Sequence, residues 1–490
     1  MRLYIDNHKF HYEMENVMRL FFHNEKVEII KDSKELISPY IVTKLEIIDN
    51  QITIKVIAEI ESFSKTLTQQ IKDDCQDDLN EQERIMAVML YDILVEYTQI
   101  KPSWGIVTGV RPVKLFRSLI NEGGIEYAKN VFKNKYIVSD EKLKLTIQTE
   151  FFENKIINLS KSNSYSLYIS IPFCPSRCSY CSFVAQSIEK AKNLIEPYFD
   201  CLCEEIIYTA KIVAKLNLNL ESVYIGGGTP TTLTHTMLSK LISVIKENYD
   251  LSNCREFTIE AGRPDTITQD KLLAIYNGGV DRISINPQTL NDEVLSKIGR
   301  NHTAQEALDA FDMARQIGFK HINTDLIIGL PDESLESFKN TLDKILLLSP
   351  ESITIHTLSM KKSSRLSKEN FKLLKEGTFS AQNMSEYAYN KLKENEYNPY
   401  YLYRQSRMVG NLENVGWSLK NKEGIYNVFV MDETHTIIGC GAGGVTKLKN
   451  VSTKKIERIF NYKFPHEYIK DFEEILRRKD KIEEFYQTFS

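Results

Sequence analysis

The stretch Tyr168-Ile-Ser-Ile-Pro-Phe-Cys-Pro-Ser-Arg-Cys-Ser-Tyr-Cys-Ser-Phe183 decides the fold that we predict for this chain. It places three cysteines, Cys174, Cys178 and Cys181, at a C-x3-C-x2-C spacing just after a short predicted strand. Thiolates favour soft metals and iron–sulfur clusters, and a cubane cluster offers four irons to its ligands. Three protein thiolates in one tight loop therefore leave one iron without a protein ligand.

An iron without a protein ligand can hold the amino and carboxylate groups of S-adenosylmethionine and pass it an electron. The alternatives are a zinc site and a chance group of structural cysteines. A zinc site usually pairs C-x2-C with a second, distant pair, and the sequence has no second C-x2-C and no H-x3-5-H. The spacing therefore favours a [4Fe–4S] cluster, with the three cysteines as its metal ligands and as the catalytic residues that act through it.

Length and composition predict a multidomain protein of the reducing cytoplasm. A chain of 490 residues is too long for one hydrophobic core. The net charge of -4 provides no overall basic field for binding nucleic acid. No stretch approaches the ~18 uninterrupted apolar residues of a membrane span, and the first ten residues lack the apolar region of a signal peptide. Eight cysteines, three of them in one loop, do not form the pattern of a disulfide framework.

The first 160 residues alternate short predicted strands and helices, which indicates an α+β domain. Residues 44–58 read as a hairpin in which residues 49–50 form the turn. Residues 80–98 and 140–158 carry apolar side chains at helical spacing. This part of the chain therefore differs in pattern from the part that follows.

Residues 104–114 combine glycines and a proline in a way that predicts a turn before a helix. Arg111 and Lys114 could meet an anionic ligand at this turn. The alternative is a solvated loop beside a packed Trp104. The sequence leaves both interpretations open.

From residue 165 to about 360 the pattern changes to strands and helices at the intervals of βαβ units. Parallel strands with right-handed crossovers curve into a barrel or part of one, with active groups at the carboxyl ends of the strands. Six units rather than eight predict an open, partial (β/α)6 barrel. The predicted strands are 166–171, 222–226, 256–260, 281–286, 321–328 and 352–358, and the predicted helices are 190–215, 234–248, 267–277, 291–298, 303–317 and 334–347.

Side-chain alternation gives each predicted barrel strand one mainly apolar face and one polar face. In one strand Thr258 and Glu260 lie opposite Phe257 and Ile259. Polar groups inside a barrel are costly unless they meet partners or a ligand, so this face is either a hydrogen-bonded structural network or a binding site. His356 lies on the polar face of the last strand, where it either handles protons or packs as a core residue.

Six motifs occur in the order found in one known family. The match is close over residues 165–360, and it continues more loosely into the C-terminal part of the chain. Together the motifs resemble the radical S-adenosylmethionine superfamily and, within it, the longer branch of the oxygen-independent coproporphyrinogen III oxidases, or coproporphyrinogen dehydrogenases. The motifs are Tyr168–Cys174, Gly226–Pro230, Thr258–Glu260, Asn286–Gln288, Gly299–His302 and Asp325–Pro331, with looser matches at Tyr401–Arg404, Asn414–Trp417 and Ile438–Gly444.

The resemblance implies an α/β protein of three parts. Residues 1–160 would form an N-terminal α+β extension, and residues 161–375 would form the radical S-adenosylmethionine partial barrel. Residues 376–490 would form a mixed, mainly helical domain that covers the substrate.

The resemblance also implies two cofactors, a [4Fe–4S] cluster and S-adenosylmethionine. Carboxylates such as Glu260 and Asp325 can accept from ribose hydroxyls, and Arg300 can pair with a carboxylate. Each also has a structural alternative: a helix cap for Glu260, a surface ion pair for Arg300 and backbone amides for Asp325. The implied S-adenosylmethionine contacts are Tyr168, Tyr180, Gly227, Gly228, Thr229, Glu260, Gln288, Arg300 and Asp325.

The activity that the resemblance implies is the oxidative decarboxylation of two propionates of coproporphyrinogen III, which gives protoporphyrinogen IX in anaerobic haem biosynthesis. The implied partners are the tetrapyrrole and an electron donor such as flavodoxin or ferredoxin, with the enzyme a monomer. The stretch 400–411 could hold the flat tetrapyrrole by aromatic stacking and by Arg404 and Arg407.

Two positions depart from the family pattern. Ser170 stands where the oxidases often have a histidine, and Phe183 stands where they often have a fourth cysteine. Relatives that lack these groups include haem-trafficking proteins and radical methyltransferases or ring-opening enzymes that act on porphyrins. Those activities are therefore the alternatives to decarboxylation. The remaining cysteines that we interpret as packing residues are Cys201, Cys203, Cys254 and Cys440.

Overall fold

The computed structural model divides the chain into two compact units. The first unit comprises Met1–Ile147 and Arg404–Asn411, and the second comprises Gln148–Tyr403 and Leu412–Ser490. The domain boundaries at residues 160 and 375 stay predictions. The residues that the structure describes are 1–22, 25–31, 35–48, 51–71, 78–181, 183, 185–359, 373–450, 453 and 455–488.

The first unit contains a five-stranded sheet with the strand order β2-β1-β3-β4-β5. The strand pairing of the predicted hairpin is confirmed, because Leu45 pairs with Ile54 in an antiparallel register. The turn predicted at residues 49–50 lies outside the described residues. Apolar side chains of the sheet and of the first two helices form one core. The elements are β1 (Arg2–Asp6), α1 (His11–Arg19), β2 (Glu28–Lys31), β3 (Tyr40–Ile48), β4 (Gln51–Ile60), β5 (Phe63–Gln70), α2 (Leu79–Thr98), α3 (Pro112–Asn130), a π-helical turn (Val131–Lys135) and α4 (Asp140–Ile157), whose C-terminal part belongs to the second unit.

The turn before α3 contains a packed tryptophan, as one of the two sequence interpretations proposed. Trp104 is fully buried, and the guanidinium carbon of Arg404 lies 5.3 Å from the centre of its ring. Arg404 also donates hydrogen bonds to the carbonyl oxygens of Val107 and Asn411. The Arg404 side chain is 6% exposed and is therefore a structural clamp of the first unit. The suggestion that it holds a substrate carboxylate is wrong.

The second unit is built on an eleven-stranded sheet with the order β14-β15-β13-β12-β11-β10-β9-β6-β16-β17-β18. The six predicted barrel strands are confirmed, and they lie side by side in this sheet as parallel neighbours. The strands are β6 (Ser164–Ile171), β7 (Phe173–Cys174), β8 (Gln186–Ser187), β9 (Asn219–Gly227), β10 (Glu256–Gly262), β11 (Arg282–Ile285), β12 (Ile322–Ile328), β13 (Ser352–Thr357), β14 (Asn398–Tyr403), β15 (Asn414–Ser418), β16 (Thr436–Cys440), β17 (Val445–Lys449) and β18 (Ile456–Phe460).

Helices follow the barrel strands at nearly the predicted positions. Several begin with a side-chain cap, as at Thr303, whose hydroxyl accepts from the backbone N–H of Glu306 in a capping box. Among the described residues no helix is long and apolar enough to cross a bilayer. The helices are α5 (Ile188–Ala191), α6 (Ile195–Lys215), α7 (His235–Asn248), α8 (Gln269–Asn277), α9 (Asp292–Lys297), α10 (Ala304–Ile317), α11 (Leu335–Leu347), α12 (Leu373–Glu394), α13 (Ile425–Asp432), α14 (Pro465–Lys470) and α15 (Phe472–Thr488).

The predicted division of the barrel strands into two faces is confirmed. One face packs apolar side chains against the helices. Over β6, β9, β10 and β11 these side chains form one large core, to which the four cysteines predicted to be packing residues also belong. The other face is polar on every barrel strand. The side chains of that polar face include Ser166, Tyr168, Ser222, Tyr224, Thr258, Glu260, Arg282, Ser284, Asn323, Asp325, Thr354 and His356.

The C-terminal part of the chain adds strands to both edges of the barrel sheet. β15 pairs with β13 in an antiparallel register, and β16 pairs with β6 in a parallel one. The strand β16 ends in a glycine-rich turn at residues 441–444, next to the strand that leads to the cysteines. There Ser170 Oγ donates to the carbonyl oxygen of Ala442 at 2.8 Å. The turn therefore supports β6 immediately before the cysteine loop.

Candidate functional site

The three cysteines lie in a loop at the carboxyl end of β6, where the barrel architecture predicts the active groups. The short strands β7 and β8 pair in parallel and close the base of this loop. The backbone N–H of Ser179 donates to the carbonyl oxygen of Ile298 at 2.9 Å, and Ser176 Oγ donates to the carbonyl oxygen of Gly299 at 3.0 Å. The loop is thus held against the segment that precedes Arg300.

Hydrogen-bond donors reach all three cysteine sulfurs, and the donor to Cys181 is the backbone N–H of Phe183. Thr229 Oγ1 donates to Cys174 Sγ at 3.5 Å, and Arg263 Nη1 donates to Cys178 Sγ at 3.4 Å. Burial raises the pKa of Cys174 to about 11, and the charges of Cys181 and Cys178 add to this effect. The three thiols are therefore close enough to influence one another electrostatically.

The donor set fits a [4Fe–4S] cluster. Within the described residues no group of three or more His, Cys, Asp or Glu side chains is placed to hold a single metal ion. A cubane distributes its protein ligands over separate irons, so it does not require the sulfurs to converge on one point. The three thiols in one loop, each with a hydrogen-bond donor to its sulfur, are the environment that a cluster with three protein ligands requires.

The glycine turn after β9 packs its backbone against the strand that carries the first cysteine. The N–H groups of Gly228 and Thr229 donate to the carbonyl oxygens of Ile171 and Phe173, both at 2.7 Å. A Cβ atom on Gly228 would lie 2.5 Å from the Phe173 oxygen, so no side chain fits there. These two amides are consequently bonded within the protein, and the turn fixes the position of the cysteine loop.

Glu260 lies on the polar face near the carboxyl end of β10. Tyr224 Oη donates to its Oε1 at 2.5 Å, and a Cβ atom on Gly226 would come within 3.0 Å of its Cδ. Burial raises the pKa of Glu260 to about 7, and Asp325 contributes to the rise. The proposed helix-cap alternative is wrong, because Glu260 is a strand residue that faces other polar side chains.

Asp325 lies two strands away on the same polar face. Asn323 Nδ2 donates to its Oδ1 at 2.7 Å, and Nε2 of His356 lies 3.6 Å from its Oδ2. Burial alone would raise the pKa of Asp325, but the hydrogen bonds from His356 and Asn323 outweigh it and hold the pKa below its usual value. His356 thus orients a carboxylate of the site.

Gln288 and Arg300 lie beside these groups. Gln288 has a left-handed backbone with φ of 71° and donates its N–H to the carbonyl oxygen of Asp325 at 3.0 Å, so its conformation is fixed by the neighbouring strand. Arg300 Nη1 donates to the carbonyl oxygen of Asn286, and its Nη2 donates to Tyr180 Oη, both at 3.1 Å. Arg300 is 9% exposed, so the surface ion pair considered above is wrong.

Three tyrosines stack at the polar face, Tyr168 and Tyr224 from the barrel strands and Tyr426 from α13. The rings of Tyr224 and Tyr426 are 4.4 Å apart with an angle of 19° between their planes. The ring of Tyr168 lies nearly parallel to both, at 6.4 Å from Tyr224 and 6.1 Å from Tyr426. The stack holds the ring of Tyr224, whose hydroxyl donates to Glu260, in one orientation.

Sequence reasoning missed Arg263, Asp265 and Tyr224. Side-chain alternation along residues 222–226 places Tyr224 on the polar face, so the sequence carried a signal for this residue. Arg263 directly follows the third barrel strand, at its carboxyl end, which is also a recognisable position. Its contact with Cys178 Sγ depends on the register shift at the end of β10, which the sequence pattern does not predict.

Comparisons with known proteins agree with this geometry. The family model of the radical SAM superfamily matches residues 168–345. The chain is 34% identical over 492 residues to the oxygen-independent coproporphyrinogen-III oxidase-like protein HemZ of Bacillus subtilis, covering 99% of this chain and 97% of that protein. It is also 37% identical over 198 residues to the heme chaperone HemW of the same organism, covering 39% of this chain and 50% of that protein.

A solved structure of coproporphyrinogen III oxidase (HemN) from Escherichia coli, described as a radical SAM enzyme, has the same fold. Its TM-score is 0.51 at 21% identity, with 66% of this chain and 72% of that chain covered. The full-length match, the superfamily match over the barrel and the three-cysteine loop point to the same conclusion. The chain belongs to the radical SAM superfamily, whose members use a [4Fe–4S] cluster and S-adenosylmethionine, and within it to the oxygen-independent coproporphyrinogen-III oxidase-like proteins.

Proposed function

We propose that the chain is a radical SAM oxidoreductase that converts coproporphyrinogen III to protoporphyrinogen IX. The observation that carries this proposal is that the cysteine loop follows β6 at the carboxyl end of the barrel strands, while Glu260 and Asp325 interact with each other on the polar face of the same set of strands. This arrangement occurs in a chain that matches, over 99% of its length, a protein named oxygen-independent coproporphyrinogen-III oxidase-like. Each of two propionates would lose a hydrogen atom to the alkyl radical derived from S-adenosylmethionine, an electron to an external one-electron acceptor, and carbon dioxide, and would become a vinyl group.

Cys174, Cys178 and Cys181 would hold the cluster. When bound, the cluster and S-adenosylmethionine supply the electron and the alkyl radical that begin the reaction on the propionate. Thr229 and Arg263 would donate to the ligating sulfurs of Cys174 and Cys178. The loop itself is held by Ser176 and Ser179, so the three sulfurs are positioned before any cofactor binds.

The residues around the loop would hold S-adenosylmethionine. Glu260 and Asp325 would accept hydrogen bonds from hydroxyl groups, and each is oriented by a neighbour, Tyr224 and His356 respectively. Arg300 would pair with a carboxylate. The glycine turn would contribute close backbone approach, although its two N–H groups at 228 and 229 are already bonded. The proposed contacts remain Tyr168, Tyr180, Gly227, Gly228, Thr229, Glu260, Gln288, Arg300 and Asp325.

A second candidate, haem binding and transfer, is favoured by one specific observation. Ser170 stands where the oxidases often have a histidine, and its hydroxyl is engaged by the carbonyl oxygen of Ala442. This position therefore contributes no group that titrates near neutral pH. The chain also matches a protein named heme chaperone over 198 residues.

The biological setting is part of the same proposal. An enzyme of this kind requires a one-electron donor, for which flavodoxin or ferredoxin is suited, and a reducing cytoplasm that preserves the cluster. We propose that it acts as a monomer.

The deciding experiment is anaerobic incubation with coproporphyrinogen III, S-adenosylmethionine and a reductant, followed by mass spectrometry. We expect two successive losses of carbon dioxide and two hydrogens, with the formation of deoxyadenosine. Cys178→Ala should abolish both products, whereas Cys254→Ala, which removes a packing cysteine outside the loop, should retain them.

Three other results would contradict the decarboxylation. Addition of methyl groups would indicate a methyltransferase, and ring opening would indicate a ring-cleaving enzyme. Tight haem binding without consumption of S-adenosylmethionine would favour haem transfer.

A further inference from the structure

The residue that follows β10 makes a contact that the proposed reaction leaves unexplained. Arg263 is only 4% exposed, and its Nη1 lies 3.4 Å from Cys178 Sγ. Hydrogen bonds to cysteine sulfurs and nearby charge are among the factors that set the reduction potential of an iron–sulfur cluster. The contact is therefore a candidate for controlling electron transfer.

All five N–H donors of the Arg263 guanidinium have a partner. Nε and Nη2 each donate to one carboxylate oxygen of Asp265 at 3.0 Å, which forms a bidentate pair. Nη2 also donates to Ser176 Oγ at 3.0 Å. Nη1 donates to the Ser176 carbonyl oxygen at 3.5 Å and to Cys178 Sγ at 3.4 Å. A planar group with every donor engaged is held in one orientation, so the N–H that reaches the sulfur is fixed.

The backbone around Arg263 explains how the side chain reaches the loop. The pairing of β10 with β11 shifts register between Glu260 and Gly262, and Gly262 has a left-handed φ of 55°. A register shift of this kind turns the chain and re-aims the following side chain. The carbonyl oxygen of Arg263 then accepts from the N–H of Thr266 at 2.9 Å and from its Oγ1 at 2.8 Å. The backbone that carries the Arg263 side chain is therefore held in one conformation.

The electrostatic consequence follows from the arrangement of charges. The guanidinium is permanently cationic and contacts the sulfur directly, whereas the Asp265 carboxylate lies on the other side of the guanidinium. In a site this buried, a contact charge outweighs a more distant charge of opposite sign. Reduction adds negative charge to a cluster, so a nearby cation favours the reduced state.

We propose that Arg263 is a positioning residue that raises the reduction potential of the cluster through its N–H contact with Cys178, and that Asp265 limits the size of this effect. The inference rests on ligation of the cluster by Cys178, as proposed above. It requires neither the tetrapyrrole substrate nor decarboxylation.

The test is a redox titration of the anaerobically reconstituted protein, followed by the electron paramagnetic resonance signal of the reduced cluster. Arg263→Gln should lower the equilibrium constant for reduction about tenfold, a shift of ~59 mV to more negative potential. Arg263→Lys, which keeps the charge, should shift the potential less. Asp265→Asn leaves the guanidinium charge uncompensated and should shift the reduction potential in the opposite, positive direction. Arg315→Gln removes a guanidinium–carboxylate pair elsewhere in the second unit and should leave the reduction potential unchanged.

The opposite signs separate electrostatic control from general damage to the loop. Equal negative shifts in Arg263→Gln and Asp265→Asn, or an unchanged potential in Arg263→Gln, would overturn the inference. If Arg263→Gln fails to retain iron, Asp265→Asn decides alone, since a positive shift supports the inference and any other result overturns it. Product formation is not measured, so failure of the substrate assignment leaves this result untouched.

Discussion

Two polar clusters in the second unit are both buried, but they differ in how fully their groups are hydrogen-bonded. The closed cluster joins Glu205 of α6 to Lys479 of α15, and both side chains are fully buried. Glu205 also accepts from Asn461 Nδ2 at 2.7 Å, from Tyr468 Oη at 2.6 Å and from the N–H of Gly441 at 2.7 Å. Lys479 donates to the carbonyl oxygen of Gly439 at 2.5 Å. Every charge in the closed cluster has partners within the protein.

The open cluster consists of Glu260, Ser284, Asp325 and His356 on the polar face of the barrel. Ser284 is 3% exposed, and among the described residues its hydroxyl has no hydrogen-bond partner. Its strand neighbours are Glu260 on one side and Asn323 on the other. Buried polar groups without partners are costly, so they are retained where a ligand completes them. From this contrast we infer that incomplete hydrogen bonding, and not buried polarity as such, marks the proposed binding site.

The largest effect that we predict is a loss of stability on mutation of the closed cluster. Lys479→Met leaves the Glu205 carboxylate buried without its counter-charge, and this should lower the free energy of unfolding by about 3–5 kcal/mol. Urea denaturation followed by circular dichroism measures the loss. The affinity of the folded protein for S-adenosylmethionine should stay unchanged.

A matched double variant sharpens this prediction. Glu205→Gln combined with Lys479→Met removes both charges and should recover part of the lost stability. If Lys479→Met alone lowered the free energy of unfolding by less than about 1 kcal/mol, the closed cluster would not stabilise the fold as its geometry indicates.

The second effect is in the open cluster and should appear in binding rather than in stability. Glu260→Gln removes an ionised acceptor, and hydrogen bonds to charged groups contribute about 1.5–3 kcal/mol. We therefore expect the Kd for S-adenosylmethionine to increase about 10- to 100-fold in anaerobic calorimetry.

Glu256 provides the matched control for this variant, because it lies on the same face of the same strand. Its carboxylate already accepts from the backbone N–H groups of Ile425 and Tyr426. Glu256→Gln should leave the Kd nearly unchanged. Equal weakening by both variants would show that the face as a whole, and not the open cluster, supports binding.

The smallest effect is a dependence of binding on pH. Burial raises the pKa of Glu260 to about 7, so this carboxyl group is partly protonated near neutral pH. If the bound cofactor requires the ionised form, binding releases a proton, and the affinity should rise about tenfold between about pH 6 and pH 8. Calorimetry across this range measures the rise, which should disappear in Glu260→Gln. A flat profile in the unchanged protein would contradict the role of the ionised carboxylate.

The barrel was predictable from the sequence because its patterns are local. Alternation along a strand and helical spacing between strands fix which residues face inward, and the observed strands agree with the predicted ones within a few residues. Glu260 was assigned to the polar face on this basis, and the same alternation places Asp325 there. Their partners Tyr224 and His356 come from other strands, so the contacts between them depend on strand order and register.

Other features could not be read from the sequence because they depend on contacts between distant segments. The clamp formed by Arg404 depends on carbonyl oxygens near Trp104, almost 300 residues away in the chain. The contact between Arg263 and Cys178 depends on a register shift at the end of a strand. The amides of Gly228 and Thr229 are bonded to the carbonyl oxygens of Ile171 and Phe173, which lie in a distant segment of the chain.

The most direct test of the account concerns the cluster itself. Anaerobically reconstituted protein should contain about four irons per chain and show the signal of a reduced [4Fe–4S] cluster, and S-adenosylmethionine should change that signal by occupying the iron that lacks a protein ligand. Replacing any one of Cys174, Cys178 or Cys181 with alanine should remove the signal. A protein without a cubane signal, or a signal that S-adenosylmethionine leaves unchanged, would contradict the account.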